Sequence, residues 1–147
     1  MATDKQKTGE FGENFIVKKF DCPKCKRKKT LKKLPQNFKC ADIICDFCGY
    51  LAQVKTKNVS NIDIFPKSIL GAAWEPQKIR MDAGIFFPLF VVLKEGKKYS
   101  IFYLSAELQD KKMFIKRKPL SPTAKRAGWT GYYLDGERIG KLATRLN

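Results

Sequence analysis

The first amphipathic segment of the chain lies near its start. Large apolar side chains recur there at helical spacing, which predicts a helix with a broad buried face from about Gly9 to Phe20. Thr8 is the expected N-cap, because a hydroxyl at that position can accept hydrogen bonds from the first backbone N–H groups. Glu13 falls at the edge of the apolar face, from which a carboxylate can reach a site between helix and sheet, and a plain surface carboxylate is the alternative. The apolar positions are Phe11, Phe15, Ile16 and Phe20.

Alternating apolar and polar residues predict a strand over residues 50–57. Side chains two residues apart share a face of a strand, so Gln53 and Lys55 point to the same side and Val54 to the other. A β-prone run at residues 38–44 precedes this strand, and the two are expected to pair as a hairpin. Further strands are predicted at 86–93, 98–104 and 114–117, with a turn at 95–97 between the first two.

The remaining segments are predicted to be less regular. Residues 66–80 are expected to form an irregular helix that is broken at Pro76, since proline has no backbone N–H. From Lys118 onward, prolines and glycine predict an irregular basic segment, followed by a hairpin at Asp135-Gly136. No internal repeat or linker is visible. Residues 1–147 are therefore interpreted as a single domain of the α/β (α+β) class.

Positive charge is the strongest feature of the composition. The 147 residues include 30 Lys and Arg but 14 Asp and Glu, which gives a formal net charge of +16. Ten basic residues and one acid lie within residues 18–39, and ten basic residues with two acids lie within 111–145. Two such patches predict contacts with the phosphate backbone of nucleic acid, and a merely solvated lysine surface is the alternative for either patch.

The sequence contains no histidine. This excludes imidazole general bases, Ser-His-Asp and Cys-His hydrolases, and zinc bound by histidine. The chain shows no signal-peptide pattern, and its longest apolar run, residues 85–93, is too short to cross a bilayer. An intracellular protein with no membrane partner is therefore expected.

Four of the five cysteines form two Cys-x-x-Cys pairs separated by 19 residues. Each pair can present two thiolates from one tight turn, and this spacing is typical of a tetrahedral zinc site. Because four protein ligands leave no open coordination position, the zinc is predicted to be structural. Gly49 suits the chain reversal after the second pair, and Cys40 is expected to pack in the core. The predicted zinc ligands are Cys22, Cys25, Cys45 and Cys48.

A second candidate site combines Asp42 with Gln53 and Lys55, which the predicted hairpin places side by side. Cleavage of a phosphodiester by water needs a divalent metal that neutralises developing charge and acidifies the attacking water. Asp42 and Gln53 would supply oxygens for a catalytic Mg²⁺, and Lys55 would orient the water and stabilise the transition state. An ordinary strand with an exposed Gln and Lys is the alternative.

Several motifs resemble the catalytic domain of DpnI-like restriction endonucleases. They are Cys-Pro-x-Cys at 22–25, Ala-Asp-x-x-Cys-x-x-Cys at 41–48, Gln-Val-Lys at 53–55 and Arg-Lys-Pro-Leu-x-Pro-Thr-Ala-x-Arg-Ala-Gly-Trp at 117–129. The resemblance implies a PD-(D/E)XK restriction-endonuclease-like core with an inserted four-cysteine zinc site. It also implies Mg-dependent cleavage of double-stranded DNA, with a preference for adenine-methylated GATC, in a prokaryotic or phage-encoded cytoplasmic enzyme.

The resemblance assigns catalytic positions to Asp42, Gln53 and Lys55, and Glu13 matches an acidic position on the first helix. The family usually has glutamate where this chain has Gln53, so one negative charge fewer is available for the metal. DpnI-like enzymes also carry a C-terminal winged-helix domain, which is not found in residues 1–147. Site recognition is therefore expected to rest on this domain alone, to be looser, or to come from a partner.

The motif at 117–129 is predicted to be a DNA-facing loop in which basic side chains contact phosphates or base edges. Trp129 would stack or wedge near a methylated base. Its alternative is a core aromatic residue beside loop-stiffening prolines, and Trp74 is expected to be a core residue. The predicted DNA-binding residues are Lys116, Arg117, Lys118, Lys125, Arg126 and Trp129.

Two further functional hypotheses remain open from the sequence. One is a non-catalytic zinc-containing DNA-binding protein, in which Gln53 marks lost activity. The other is a phage or mobile-element nuclease of the same fold that recognises DNA structure instead of sequence. The pattern leaves both a monomer and a homodimer open.

Overall fold

Two β-sheets and three helices form the part of the chain that the computed structural model describes, residues 3–36 and 38–147. The predicted mixed α/β (α+β) class is confirmed. The helices are α1 (Asp4–Lys19), α2 (Trp74–Asp82) and α3 (Gly136–Leu142). The strands are β1 (Leu31–Lys33), β2 (Ile43–Cys45), β3 (Leu51–Asn58), β4 (Ser68–Ala73), β5 (Leu89–Glu95), β6 (Lys98–Leu104), β7 (Phe114–Lys116), β8 (Gly131–Asp135) and β9 (Thr144–Arg145).

The larger sheet has the strand order β1-β2-β3-β5-β6-β9. Strands β3 and β5 run parallel, and the other neighbours in this sheet are antiparallel. The smaller sheet is antiparallel, in the order β4-β8-β7. Both predicted hairpins form: β2 pairs with β3, with Ile43 opposite Ala52, and β5 pairs with β6.

Strand β5 lies at the centre of the molecule because both of its faces are buried. Leu89, Val91 and Leu93 belong to the apolar cluster shared with the smaller sheet and α3. Phe90 and Val92 belong to the cluster beneath α1 and the cysteine turns. A strand covered on both sides consists of consecutive apolar residues, as this one does. Among the described residues, no helix has the length and apolar character needed to span a membrane.

Helix α1 packs closely on β3. Ile16 is fully buried, and a Cβ atom added at Gly12 would lie 1.7 Å from Thr56 Oγ1. A side chain at position 12 would clash with Thr56 unless Thr56 or the helix moved, so glycine permits this close approach. The contact brings Glu13, the next residue of the helix, towards β3.

The start of α1 differs from the prediction. The helix begins at Asp4, and Thr3 and Gln6 form a capping box, in which the Thr3 hydroxyl accepts from the Gln6 N–H at 3.2 Å. Thr8 is not the cap. Its hydroxyl donates to the Asp4 carbonyl at 2.9 Å, one turn earlier in the same helix.

Two other predicted elements are wrong in kind. Residues 66–80 are not one irregular helix, because β4 occupies the first part and α2 begins at Trp74. Pro76 does not break α2, since it lies in the first turn, where a backbone N–H has no partner within the helix. The Asp135-Gly136 pair is not a hairpin turn. Asp135 caps α3, and its side chain accepts hydrogen bonds from the N–H groups of Glu137 and Arg138.

Candidate active site and metal centre

The four cysteines of the two Cys-x-x-Cys pairs lie together at the end of the β2–β3 hairpin. Their Sγ atoms all lie within 4.8 Å of one another, and the Cys22–Cys48 and Cys25–Cys45 pairs are 3.6 and 3.7 Å apart. A tetrahedral zinc site with bonds of about 2.3 Å requires sulfur atoms about 3.8 Å apart. The cluster therefore has the dimensions to hold a metal ion such as zinc with four sulfur ligands.

Backbone N–H groups in this cluster donate to sulfur atoms and stabilise negative charge on them. The N–H groups of Cys25 and Cys48 point at the Sγ atoms of Cys22 and Cys45, at 3.5 and 3.4 Å. Burial raises the pKa of Cys22 to about 12. Burial also opposes ionisation of Cys45, but the neighbouring N–H groups and the Thr30 hydroxyl outweigh it and lower its pKa to about 6. Gly49, at φ +79, makes the predicted chain reversal.

The same hairpin sets the position of Asp42. Asp42 immediately precedes β2 and is not inside a strand as predicted, because residues 38–42 bend through Cys40, which has φ +69. Its N–H donates to the Ala52 carbonyl at 2.9 Å, and its Oδ2 accepts from the Val54 N–H at 2.7 Å. These two bonds fix the carboxylate across from Gln53.

A pocket of about 230 Å³ brings three of the predicted residues together: Asp42, Gln53 and Lys55 all line it. Its opposite wall comes from the start of α2 and from β8, and the exposed ring of Phe38 lies at its edge. Cys40 also lines the pocket, so the expectation that it packs in the core is wrong. The predicted pairing of the two strands thus produces a concave site.

Lys55 is surrounded by groups of negative or electron-rich character. Burial alone would lower the pKa of its ammonium group. The surrounding Tyr132, Asp42, Cys40 and Glu13 outweigh this effect and raise the pKa of Lys55 above its ordinary value. Its Nζ also lies 6.0 Å from the centre of the Tyr132 ring. Lys55 therefore remains a cation over the whole physiological range of pH.

Glu13 lies close enough to this pocket to respond to its charges. Burial, and then repulsion by Asp42, raise the pKa of Glu13 to about 7, while Lys33 and Lys55 oppose the shift. Two carboxylates that share a partly desolvated region do not both ionise easily.

The raised pKa of Glu13 predicts a pH-dependent penalty on stability. In magnesium-free buffer the folded protein must ionise a group of pKa about 7 that ionises near 4.5 when unfolded, so stability falls as pH rises through this window. We expect the free energy of unfolding of Glu13→Gln, relative to that of the wild type, to rise by about 1 kcal/mol between about pH 5.5 and pH 8.5, after allowance for solvent screening. Urea unfolding at the two pH values measures the gain, and a pH-independent difference would contradict the assignment.

The pocket contains two buried residues that the sequence did not single out. Gln77 of α2 and Tyr132 of β8 line the wall opposite Lys55. Gln53 donates from Nε2 to Gln77 Oε1 at 3.2 Å, and the Tyr132 hydroxyl donates to the same oxygen at 3.4 Å. No motif marks these positions, because they come from a helix and a strand whose arrangement only the tertiary fold determines.

The segment from residue 117 to 130 forms a closed, exposed loop between β7 and β8. Leu120 donates to the Trp129 carbonyl and Gly128 donates to the Leu120 carbonyl, at 3.0 and 3.1 Å. The predicted DNA-binding residues Lys116, Arg117, Lys118, Lys125 and Arg126 are all exposed. The loop ends at Thr130, whose carbonyl accepts from the N–H of Trp74 at the start of α2, so it is anchored beside the pocket.

Trp129 is neither a core residue nor a freely exposed ring. It is half-buried, and it packs against the backbone of Gly131, where an added Cβ would lie 2.7 Å from the indole. The Arg126 guanidinium carbon lies 4.5 Å from the indole centre. Stacking of a base on this face of Trp129 would therefore require Arg126 to move. Trp74, in contrast, packs against the apolar core as predicted.

The basic segment around the first cysteine pair forms a second exposed surface. Arg27 lies over the Phe47 ring, 3.7 Å from its centre, and Phe47 itself is 59% exposed. Lys32 and Lys33 make ion pairs with Asp46 and Glu10, at 3.9 and 3.4 Å. Other basic residues of this segment, among them Lys24, Lys26, Lys28 and Lys29, surround the cysteine turns.

Comparison with known families agrees with this arrangement. The family model described as "DpnI: Dam-replacing family" matches residues 2–144, which is nearly the whole chain. The match implies a nuclease with DNA as its substrate. Because the match covers nearly the whole sequence, the chain belongs to the DpnI (Dam-replacing) family.

Proposed function

We propose that the protein is a Mg²⁺-dependent endonuclease that hydrolyses double-stranded DNA methylated on adenine, at GATC-like sites. The observation that carries the proposal is the meeting of Asp42, Gln53 and Lys55 in one pocket next to an exposed basic loop. Family membership supports the choice of substrate. We also propose that residues 1–147 act as one catalytic domain.

The oxygen donors of the pocket fit a hard divalent cation. The Oδ2 atom of Asp42 accepts a backbone hydrogen bond, which leaves Oδ1 to bind a metal. The amide oxygen of Gln53 accepts no hydrogen bond from the described residues. Burial, and then repulsion by Asp42, raise the pKa of Glu13, and a bound cation would relieve the repulsion. Magnesium prefers such oxygen donors. When bound, it would neutralise phosphate charge and acidify the attacking water.

Lys55 supplies the positive charge that the reaction needs from the protein itself. Its ammonium group lies on the same face of β3 as Gln53, and it stays protonated because of the surrounding groups. In that position it orients the nucleophilic water and stabilises the negative charge that accumulates on the phosphate in the transition state.

The cysteine cluster is proposed to bind a structural Zn²⁺. Cys45 is the last residue of β2, and Cys48 lies in the turn that joins β2 to β3. The cluster ties this end of the hairpin to Cys22 and Cys25 after α1. Four sulfur ligands leave no position for substrate. The role of the metal is therefore to hold the hairpin that sets Asp42 opposite Gln53.

The basic loop is proposed to contact the DNA backbone, so its charges should determine the dependence of affinity on salt. Each phosphate contact contributes about −0.9 to the slope of log affinity against log salt. We expect the Lys125→Ala/Arg126→Ala variant to reduce the magnitude of the slope by about two. Lys97→Ala/Lys98→Ala is the matched control, because it removes equal charge from the exposed β5–β6 turn, at the end of β5 away from the pocket.

Fluorescence anisotropy with a short duplex, in Ca²⁺ or without metal, measures this slope. Equal slopes for the two double variants would remove the loop from the DNA-binding surface.

Cleavage of plasmid DNA tests the proposed function directly. Adenine-methylated and unmethylated plasmid are incubated with the protein and Mg²⁺ or Mn²⁺. Discrete fragments from methylated DNA alone are expected. Equal cleavage of both plasmids would refute methylation dependence, and cleavage restricted to branched substrates would favour a structure-specific nuclease. Binding without any cleavage would favour the non-catalytic DNA-binding hypothesis, for which the replacement of the usual glutamate by Gln53 is the supporting observation.

A further inference from the structure

Two glutamine side chains are buried against each other in the wall of the pocket. Gln53 is 4% exposed and Gln77 is 3% exposed, and the Gln53 Nε2 atom lies 3.2 Å from Gln77 Oε1. Buried amides normally have hydrogen-bond partners, because an unsatisfied polar group loses its solvation without compensation. Here each amide lies beside the other and beside the proposed metal site.

The orientation of the Gln53 amide decides what it can bind. A primary amide has a donor end and an acceptor end of nearly equal size, and only the oxygen can coordinate a cation. Gln77 Oε1 takes a hydrogen bond from the NH₂ group of Gln53 and a second one from the Tyr132 hydroxyl. Since the nitrogen of Gln53 is held by Gln77, its oxygen is the end left to the pocket.

The hydrogen-bond partners of Gln77 differ from those of a glutamine that supports only the fold. Gln109, the other strongly buried glutamine of the described residues, donates to the backbone carbonyls of Phe87, Leu104 and Ser105. Within the same described residues, the side chain of Gln77 hydrogen-bonds with no backbone group, and both of its partners are side chains of the pocket wall.

We propose that Gln77 is a positioning residue that holds the Gln53 amide with its oxygen towards the divalent cation. The inference rests on the proposed function. It also links the two positions, because a glutamate at position 53 would present no N–H donor to Gln77 Oε1. A glutamine can therefore replace the acid at position 53, because Gln77 Oε1 accepts a hydrogen bond from its NH₂ group and leaves its oxygen to the metal.

Binding of Mn²⁺ to the DNA-free protein tests the proposal without reference to turnover. The zinc-loaded protein is titrated with Mn²⁺ and the bound ion is followed by electron paramagnetic resonance. Gln77→Leu, which removes the acceptor, is expected to weaken Mn²⁺ binding by about tenfold or more, whereas Gln77→Glu, which keeps an acceptor, is expected to bind within about threefold of the wild type or more tightly. Gln109→Leu removes a buried glutamine of the other kind, and it should lower thermal stability without weakening Mn²⁺ binding.

The outcomes separate this inference from the proposed function. If the wild-type protein binds no Mn²⁺, or if Asp42→Asn leaves its Mn²⁺ binding unchanged, the proposed function fails and the inference fails with it. If wild-type binding is abolished by Asp42→Asn but is unchanged in a folded Gln77→Leu variant, the inference alone is wrong. Equal weakening by Gln77→Leu and Gln77→Glu would also overturn it, because the acceptor would then be irrelevant.

Discussion

Lys55→Ala is expected to lower DNA cleavage by at least about a hundredfold, because it removes the charge proposed to stabilise the transition state. Asp42→Ala is expected to have an effect of similar size, since it removes the carboxylate that is proposed to bind the catalytic metal. Neither variant should weaken DNA binding in Ca²⁺ appreciably, because the exposed basic loop supplies most of the proposed backbone contacts. Single-turnover cleavage and anisotropy measure the two quantities separately.

Lys57→Ala is the matched control for Lys55→Ala. Lys57 follows on the same face of β3, but it is not part of the pocket lining, and its Nζ donates to the Ser68 carbonyl at 2.6 Å. We expect this variant to cleave at close to the wild-type rate. Equal losses in Lys55→Ala and Lys57→Ala would mean that β3 carries a general positive surface and not a catalytic lysine.

Cys45→Ser is expected to cause the largest loss of stability, on the order of several kcal/mol, because binding of a structural zinc is part of the folding free energy. Cys45 is 1% exposed, and its sulfur lies 3.7 Å from that of Cys25. Cleavage should fall as well, since the hairpin that positions Asp42 would no longer be tied to the turn after α1. Bound zinc is measured by elemental analysis, and stability by thermal unfolding.

Cys40→Ser is the control for the zinc prediction. Cys40 lines the pocket, lies outside the four-sulfur cluster, and is exposed enough to accept a hydroxyl. The variant should retain one zinc per chain and near-normal stability. A wild-type protein that contains no zinc, or a Cys45→Ser variant that keeps both its metal and its stability, would contradict the structural role.

The candidate sites were predictable where local spacing determines geometry. Two Cys-x-x-Cys pairs form the four-sulfur cluster, as expected, because each pair is a tight turn and the spacing of the two pairs is typical of one shared metal site. The Gln53 and Lys55 side chains share a face because the period of a strand is two residues. Asp42 reaches them because the cysteine turn leaves little freedom in the register of the hairpin. The catalytic roles of these three residues stay predictions.

The remaining parts depend on contacts between distant segments. Gln77 enters the pocket because α2 starts after β4, a strand that the sequence pattern around residues 66–80 did not indicate. A proline within a helical pattern predicts a break, but Pro76 lies in the first turn of α2, where it is compatible with a helix. The raised pKa of Glu13 comes from burial and from the proximity of Asp42, a residue of a distant segment, and no local pattern reveals either.

The position of Cys40 also depends on the tertiary fold. As the one cysteine outside the two pairs, it was expected to be an ordinary core residue. Its left-handed backbone, at φ +69, instead carries it to the pocket next to Asp42. A backbone conformation of this kind is imposed by the surrounding fold and is not visible in the sequence.

The most direct test of the central claim is a crystal structure of the protein with an adenine-methylated duplex and Mn²⁺, with the metals located by anomalous scattering. The account predicts a manganese peak between the Asp42 carboxylate and the Gln53 amide oxygen, with a backbone phosphate beside Lys55 and a zinc peak among the four cysteines. Bound DNA whose phosphates lie away from this pocket, with manganese elsewhere or absent, would contradict it.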